Sequence, residues 1–166
     1  MMKIADYVKS SIISKRAIKG NLTVEEVGLP FGDTWNKKDY RADIMEITKE
    51  DKIIIYEVKS SLQDFKSDNK WENYLKHCHL FYFAAPKHVI EYIKENVPKT
   101  VGLYRVDTYG NLMCDRVARN TESNPDINLT RENLQTQLIY RYQKLHRDFK
   151  KNNKDEYKTF IKSLGK

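Results

Sequence analysis

The chain has 166 residues, 40% hydrophobic and 32% charged, with a formal net charge of +7. That length supports one domain with a real core and leaves no room for two comfortable ones. No apolar run approaches the ~20 residues of a membrane span, and the first residues lack the apolar core of a signal peptide.

Two cysteines, Cys78 and Cys114, make neither a disulfide framework nor a Cys-x-x-Cys pair. The expectation is a soluble protein of a reducing, intracellular (cytoplasmic) compartment with no membrane partner. The basic surplus, with a pI near 9.2, favours a polyanionic partner but gains weight only beside a site that uses one. The 11 tyrosines are suited to stacking on bases, although in a small domain most tyrosines serve the core and its boundary.

Residues 3 to 18 read as an amphipathic helix, with Ile4, Val8 and Ile12 on one stripe widened by Ala5 and Ile13. Gly20-Asn21 ends it with residues that accept positive φ. Its one acidic residue, Asp6, lies in the first turn, where the helix dipole favours it. Leu22 to Leu29 reads as a strand, Thr23, Glu25 and Val27 facing one way and Val24, Glu26 and Gly28 the other. Only one of Glu25 and Glu26 can then face a site. The loop from Gly32 to Lys38 carries Trp35 and Lys37-Lys38, suited either to nucleic acid or to covering the sheet's rim.

Asp43 to Lys59 reads as a hairpin, two β-branched strands around the polar break Thr48-Lys-Glu-Asp-Lys52. Alternation puts Glu57 and Lys59 on one face with Val58 on the other, and folding the hairpin brings Asp43 towards Glu57. Arg41 points with Asp43, placed to hold a phosphate or to pair with a carboxylate. A lone Glu-x-Lys on a strand is commonly a solvated face. Here it closes the most hydrophobic strand of the chain, where a buried charged pair needs a reason. Two carboxylates with open positions form a hard oxygen site for Mg²⁺ or Mn²⁺, and a lysine beside them orients water or offsets charge on a phosphate.

After Lys59 the period becomes helical: Leu62, Phe65, Trp71 and Tyr74-Leu75 are apolar, Ser60-Ser61 offer N-caps, and Ser67-Asp-Asn69 marks a local break. His77, Cys78 and His79 are adjacent and diverge, so a structural zinc site is not expected. Leu80 to Ala85 reads as a buried central strand stopped by Pro86, and Val89, Ile90, Ile93 and Val97 as a short helix ended by Pro98. Val101–Val106 and Leu112–Ala118 form a second hairpin around Asp107-Thr-Tyr-Gly-Asn111. Residues 120–128 read as a linker. Beyond it Leu134, Leu138, Tyr142, Leu145 and Phe149 make a helical stripe started by Thr130, with a basic opposite face and the Lys150-Lys151 and Lys154 cluster. This arm is suited to packing on the domain, to gripping a duplex backbone, or to both.

Asp43 and the strand ending Glu57-Val58-Lys59-Ser60-Ser61 together resemble the PD-(D/E)XK nuclease superfamily. The following Asp64-Phe65, Asp68, Lys70-Trp71, Tyr74, Cys78 and Phe81-Tyr-Phe-Ala-Ala-Pro86 resemble one branch of it, the MmcB-like family of DNA-repair or nuclease-like proteins. The resemblance spans roughly Thr23 to Ala118. One departure is Ala42, which stands where the superfamily has its proline.

The resemblance implies an α/β, restriction-endonuclease-like mixed sheet flanked by helices. Residues 1–119 would form the nuclease-like core, and 120–166 a linker and basic amphipathic helical extension packed on the same domain. It implies metal-dependent hydrolysis of DNA, with Asp43, Glu57 and the Val58 backbone carbonyl holding Mg²⁺ or Mn²⁺ and Lys59 positioning or activating water. Glu25, Glu26, Arg41, Asp64, Asp68 and Lys70 are the supporting or substrate-binding candidates. Such first helices sometimes add an acidic ligand, but Asp6 reads better as a solvated first-turn residue. Many enzymes with this site cut as homodimers, although no dimer face is legible. The rival readings are a catalytically inactive DNA-binding protein and an assembly factor, each retaining the fold.

Overall fold

The computed structural model describes residues 3–30, 40–120 and 126–164, so Trp35 and Lys37-Lys38 lie outside the described residues. The chain divides into two compact units, Met1–Thr130 and Arg131–Lys166. In the first, helix α1 (Ile4–Ala17) leads into β1 (Leu22–Gly28), β2 (Arg41–Ile47) and β3 (Ile53–Val58), then short helices α2 (Leu62–Ser67) and α3 (Trp71–Tyr74). Strand β4 (Leu80–Pro86), helix α4 (Lys87–Asn96) and the strands β5 (Gly102–Val106) and β6 (Leu112–Arg116) follow.

The six strands make one sheet in the order β1-β2-β3-β4-β5-β6. Pairing is antiparallel from β1 to β3, parallel from β3 to β5, and antiparallel again in the last hairpin. The expected mixed α/β architecture is thus present. The run Ile53–Val58 is buried at every position because β3 is central and covered on both faces. On one face Val8 and Ile12 of α1 pack with Ile44, Ile54, Tyr56, Val58, Tyr82, Ala84 and Tyr104. On the other, Phe65 and Trp71 meet Phe83 edge-on at centroid distances of 5.4 Å each.

Small sequence signals hold these elements in place. Gly20 adopts φ +73° just past α1 and donates its N–H to Ala17 O, closing the helix as expected. Gly102 has no side chain because the Tyr82 ring occupies that space: an added Cβ would lie 2.2 Å from it. Among the described residues Tyr56, Tyr74, Tyr82 and Tyr104 are core, with Tyr56 stacked on Tyr82 at 5.5 Å, while Tyr109, Tyr140 and Tyr142 are exposed. Asp107 Oδ1 accepts from the N–H groups of Tyr109 and Asn111, organising the β5–β6 turn.

The predicted alternation of β1 fails in its second half. Val24 and Val27, three residues apart, are both buried, because Glu26 takes φ +54° in mid-strand. A left-handed non-glycine residue there turns the side chains that follow. The strain has a location that matters. By the register of the β1–β2 ladder (Glu25 against Ile44, Val27 against Ala42), Glu26 lies across from Asp43.

The C-terminal helices are α5 (Ile127–Asn152) and α6 (Lys154–Leu164). α5 starts ahead of the predicted Thr130, whose hydroxyl instead donates back to the Asp126 carbonyl. Of the expected stripe, Leu134 is buried while Tyr142, Leu145 and Phe149 are exposed. Among the described residues, no helix is long and apolar enough to cross a membrane.

Candidate active site

The site is built where β2 begins and β3 ends. The β2–β3 ladder runs as far as Ile44 against Tyr56, so Asp43 and Glu57 come one step beyond its last pair. Asp43 Oδ2 accepts the Val58 N–H at 2.8 Å, stitching the two strand ends together through a side chain. The convergence predicted from hairpin spacing is present.

Glu57 and Lys59 project from the same face and are nearly excluded from water, with side-chain exposures of 9% and 5%. Lys59 Nζ donates to Glu57 Oε1 at 2.9 Å and to Asp68 Oδ2 at 2.5 Å. Asp68 is held in turn by the Lys70 backbone N–H, 2.8 Å from its Oδ1. Glu57 Oε2, however, is buried with no hydrogen-bond partner among the described residues. Buried carboxylate oxygens are rarely left so, because the loss of water goes uncompensated.

Burial first, then the negative charge of Asp43, pushes Glu57 up to about 8 against the opposing pull of Lys59. Burial works against the Lys59 ammonium, yet Glu57 and Asp68 more than offset it and hold Lys59 charged above its ordinary range. The hydroxyl of Tyr74 lies in the same negative field, its pKa raised by burial and then by Glu57 and Asp68.

One participant was not foreseen. Lys9 of α1 places its ammonium 3.1 Å from Asp43 Oδ1 and also pairs with Glu26. Arg41 Nε completes the chain on Glu26 Oε2 at 2.6 Å, so of its two expected uses it takes the carboxylate pairing. The first helix therefore contributes a cation to this end of the sheet, while Asp6 is exposed in its first turn. No sequence spacing announces an ion pair between a helix and a strand 34 residues on.

The remaining candidates divide. Asp68, Glu26 and Arg41 are brought to the site; Glu25 is exposed and lies opposite Ile44 in the ladder, away from Asp43. Asp64 serves the start of α2 instead: its Oδ2 accepts from Ser60 N and Oγ, while its own N–H donates to the N-cap Ser61. Lys70 supports the site through its backbone; its ammonium lies 5.9 Å from the centroid of the Tyr40 ring. His77, Cys78 and His79 go to three different partners, namely Thr130 Oγ1, the Tyr74 carbonyl and the Ile53 N–H.

The donor set suits a hard divalent cation. An orphaned buried carboxylate oxygen beside a second carboxylate is a group whose charge a cation would stabilise. Among the described residues, no group of three or more His, Cys, Asp or Glu converges as a metal site. Two carboxylates completed by water are a kind of site that Mg²⁺ accepts.

The family model of the MmcB-like DNA repair proteins matches residues 20–137. The chain belongs to the MmcB-like family. The match spans the whole sheet and every site residue except Lys9. A solved structure, that of the SPO1766 protein of unknown function from Silicibacter pomeroyi, superposes with a TM-score of 0.66 at 25% identity. It covers 87% of this chain and 92% of that one. No curated protein matches the chain.

Proposed function

We propose that this MmcB-like protein is a metal-dependent nuclease that hydrolyses DNA phosphodiester bonds, built on the PD-(D/E)XK plan. The observation that carries the reading is the buried Glu57–Lys59 pair with one Glu57 oxygen unpartnered beside Asp43. Asp43, Glu57 and the Val58 carbonyl would hold Mg²⁺ or Mn²⁺, which when bound acidifies a water and neutralises phosphate charge. Lys59, locked as an ammonium by Glu57 and Asp68, acts by orienting the attacking water and offsetting charge on the phosphate. It does not serve as the base. Asp43 positions the Val58 backbone, and Asp68 aims the lysine. Ala42, at the superfamily's proline position, is a buried ladder residue opposite Val27, so it supplies backbone only.

Labelled single-stranded, duplex and branched DNA with Mg²⁺ or Mn²⁺ provides the test. Cutting by the wild type, reduced at least ~100-fold in Glu57→Ala and Lys59→Ala, is the expected result. Equal cutting by all three proteins would sink the assignment.

A specific observation favours the second reading, a DNA-binding protein that does not cut. Lys9 already sets a positive charge on Asp43 where a cation would share that carboxylate. Tight DNA binding by the wild type with no cutting under either metal would select it.

A further inference from the structure

The positive charge of this chain is not evenly spread. Residues 131–166 hold ten Lys and Arg against four Asp and Glu, whereas residues 1–130 hold twenty against nineteen. The smaller unit therefore carries six of the seven surplus charges, and the sheet unit with the candidate active site is close to neutral.

Within α5 the charge has a direction. At 100° per residue, Tyr140, Lys144, Arg147 and Lys151 fall on one line of the helix, and Leu138, Tyr142, Leu145 and Phe149 on the opposite line. All four members of the first line are exposed. Between Asn133 and Lys154 the sequence has one acidic residue, Asp148. Lys144 to Lys151 spans about 10 Å of helix axis, the rise of about three successive phosphates on one strand. The helix thus offers a row of cations at phosphate spacing, with an aromatic ring at its head and little anionic charge to repel a backbone.

We propose that this line of α5 is the chain's DNA grip: a sequence-independent surface for the phosphate backbone, made of residues other than those that cut. It rests on the reading of DNA as the substrate, and it assigns affinity to one helix and chemistry to another part of the chain. Phosphate contacts carry affinity and its salt dependence, while the site needs only the few groups that act on one phosphate.

The experiment is fluorescence anisotropy of the full chain with a short labelled duplex in EDTA, over about 50–200 mM salt. The variants are K144Q/R147Q/K151Q and its charge-preserving counterpart K144R/R147K/K151R. The triple Gln variant is expected to bind at least ~10-fold more weakly near 100 mM salt, with a log–log salt slope shallower by about 2.7. The charge-preserving variant should bind like wild type. Unchanged affinity and slope in the Gln variant would overturn the proposal, whatever the cleavage assay shows. So would a wild type that binds no DNA, or a self-associated wild type that the Gln substitutions make monomeric without altering DNA binding. Weakened binding with no cutting by any protein would remove the nuclease reading and leave the grip standing.

Discussion

Two buried glutamates lie on neighbouring strands of one sheet, and they are treated differently. Glu46 of β2 faces α1 and is fully buried; Glu57 of β3 faces the α2–α3 side. Glu46 receives Arg16 on both oxygens, at 2.7 and 2.8 Å, the Tyr56 hydroxyl at 2.6 Å, and the Asn21 amide. Every charge in that network is answered. Glu57 has Lys59 on one oxygen and, among the described residues, no hydrogen bond on the other. A complete network rigidifies the fold, whereas an incomplete one retains coordination capacity and an uncompensated cost. The first is architecture. The second leaves one buried carboxylate oxygen without a hydrogen bond among the described residues.

That contrast gives predictions of decreasing size. Replacing Glu46 by Ala strands the buried Arg16 charge and the Tyr56 hydroxyl, and should destabilise the protein by about 3–5 kcal/mol in urea unfolding. A loss under about 1 kcal/mol would mean the network contributes little and the contrast is false.

Glu57 should behave in the opposite sense. Its native pKa near 8 lies above the ordinary 4.5, so between those values the folded state binds the extra proton. Stability contributed by that group is present at low pH and declines as pH rises from about 4.5 to about 8. In EDTA, wild type should therefore lose on the order of a few kcal/mol relative to Glu57→Gln between those limits. Parallel pH profiles for the two proteins would show that Glu57 is not strained.

The smallest effect concerns the cation already present. Lys9→Met removes the ammonium from Asp43, and Mn²⁺ binding followed by calorimetry should tighten by up to about tenfold, or ~1.4 kcal/mol. Weaker Mn²⁺ binding in this variant would indicate instead that Lys9 holds Asp43 and Glu26 in place for the metal.

Much of this was legible in one dimension because it rests on local rules. The turn Thr48–Lys52 closes a two-strand hairpin, so its geometry carries Asp43 to the end of β3 whatever the rest of the chain does. Alternation alone puts Glu57 and Lys59 on one face. Ser61 at the start of α2 and Gly20 past α1 act within a few residues of themselves. The same locality governs the polar residues beside the site. Asp64, a candidate through the family resemblance, uses its carboxylate locally, its Oδ2 accepting from Ser60 N and Oγ ahead of α2.

By itself, then, the sequence determined the order of elements, the carboxylate pair with its lysine, the family, and the concentration of charge in the last 36 residues. The tertiary structure alone decided which charges answer one another. Lys9, Glu26 and Arg41 join Asp43 only because α1 packs on the sheet and Glu26 turns in mid-strand. Arg16 and Asn21 complete Glu46, while one oxygen of Glu57 has no hydrogen bond among the described residues. Secondary structure follows from neighbours a few residues apart. The cost of a buried charge depends on groups that arrive from anywhere in the chain, and only the fold brings those together.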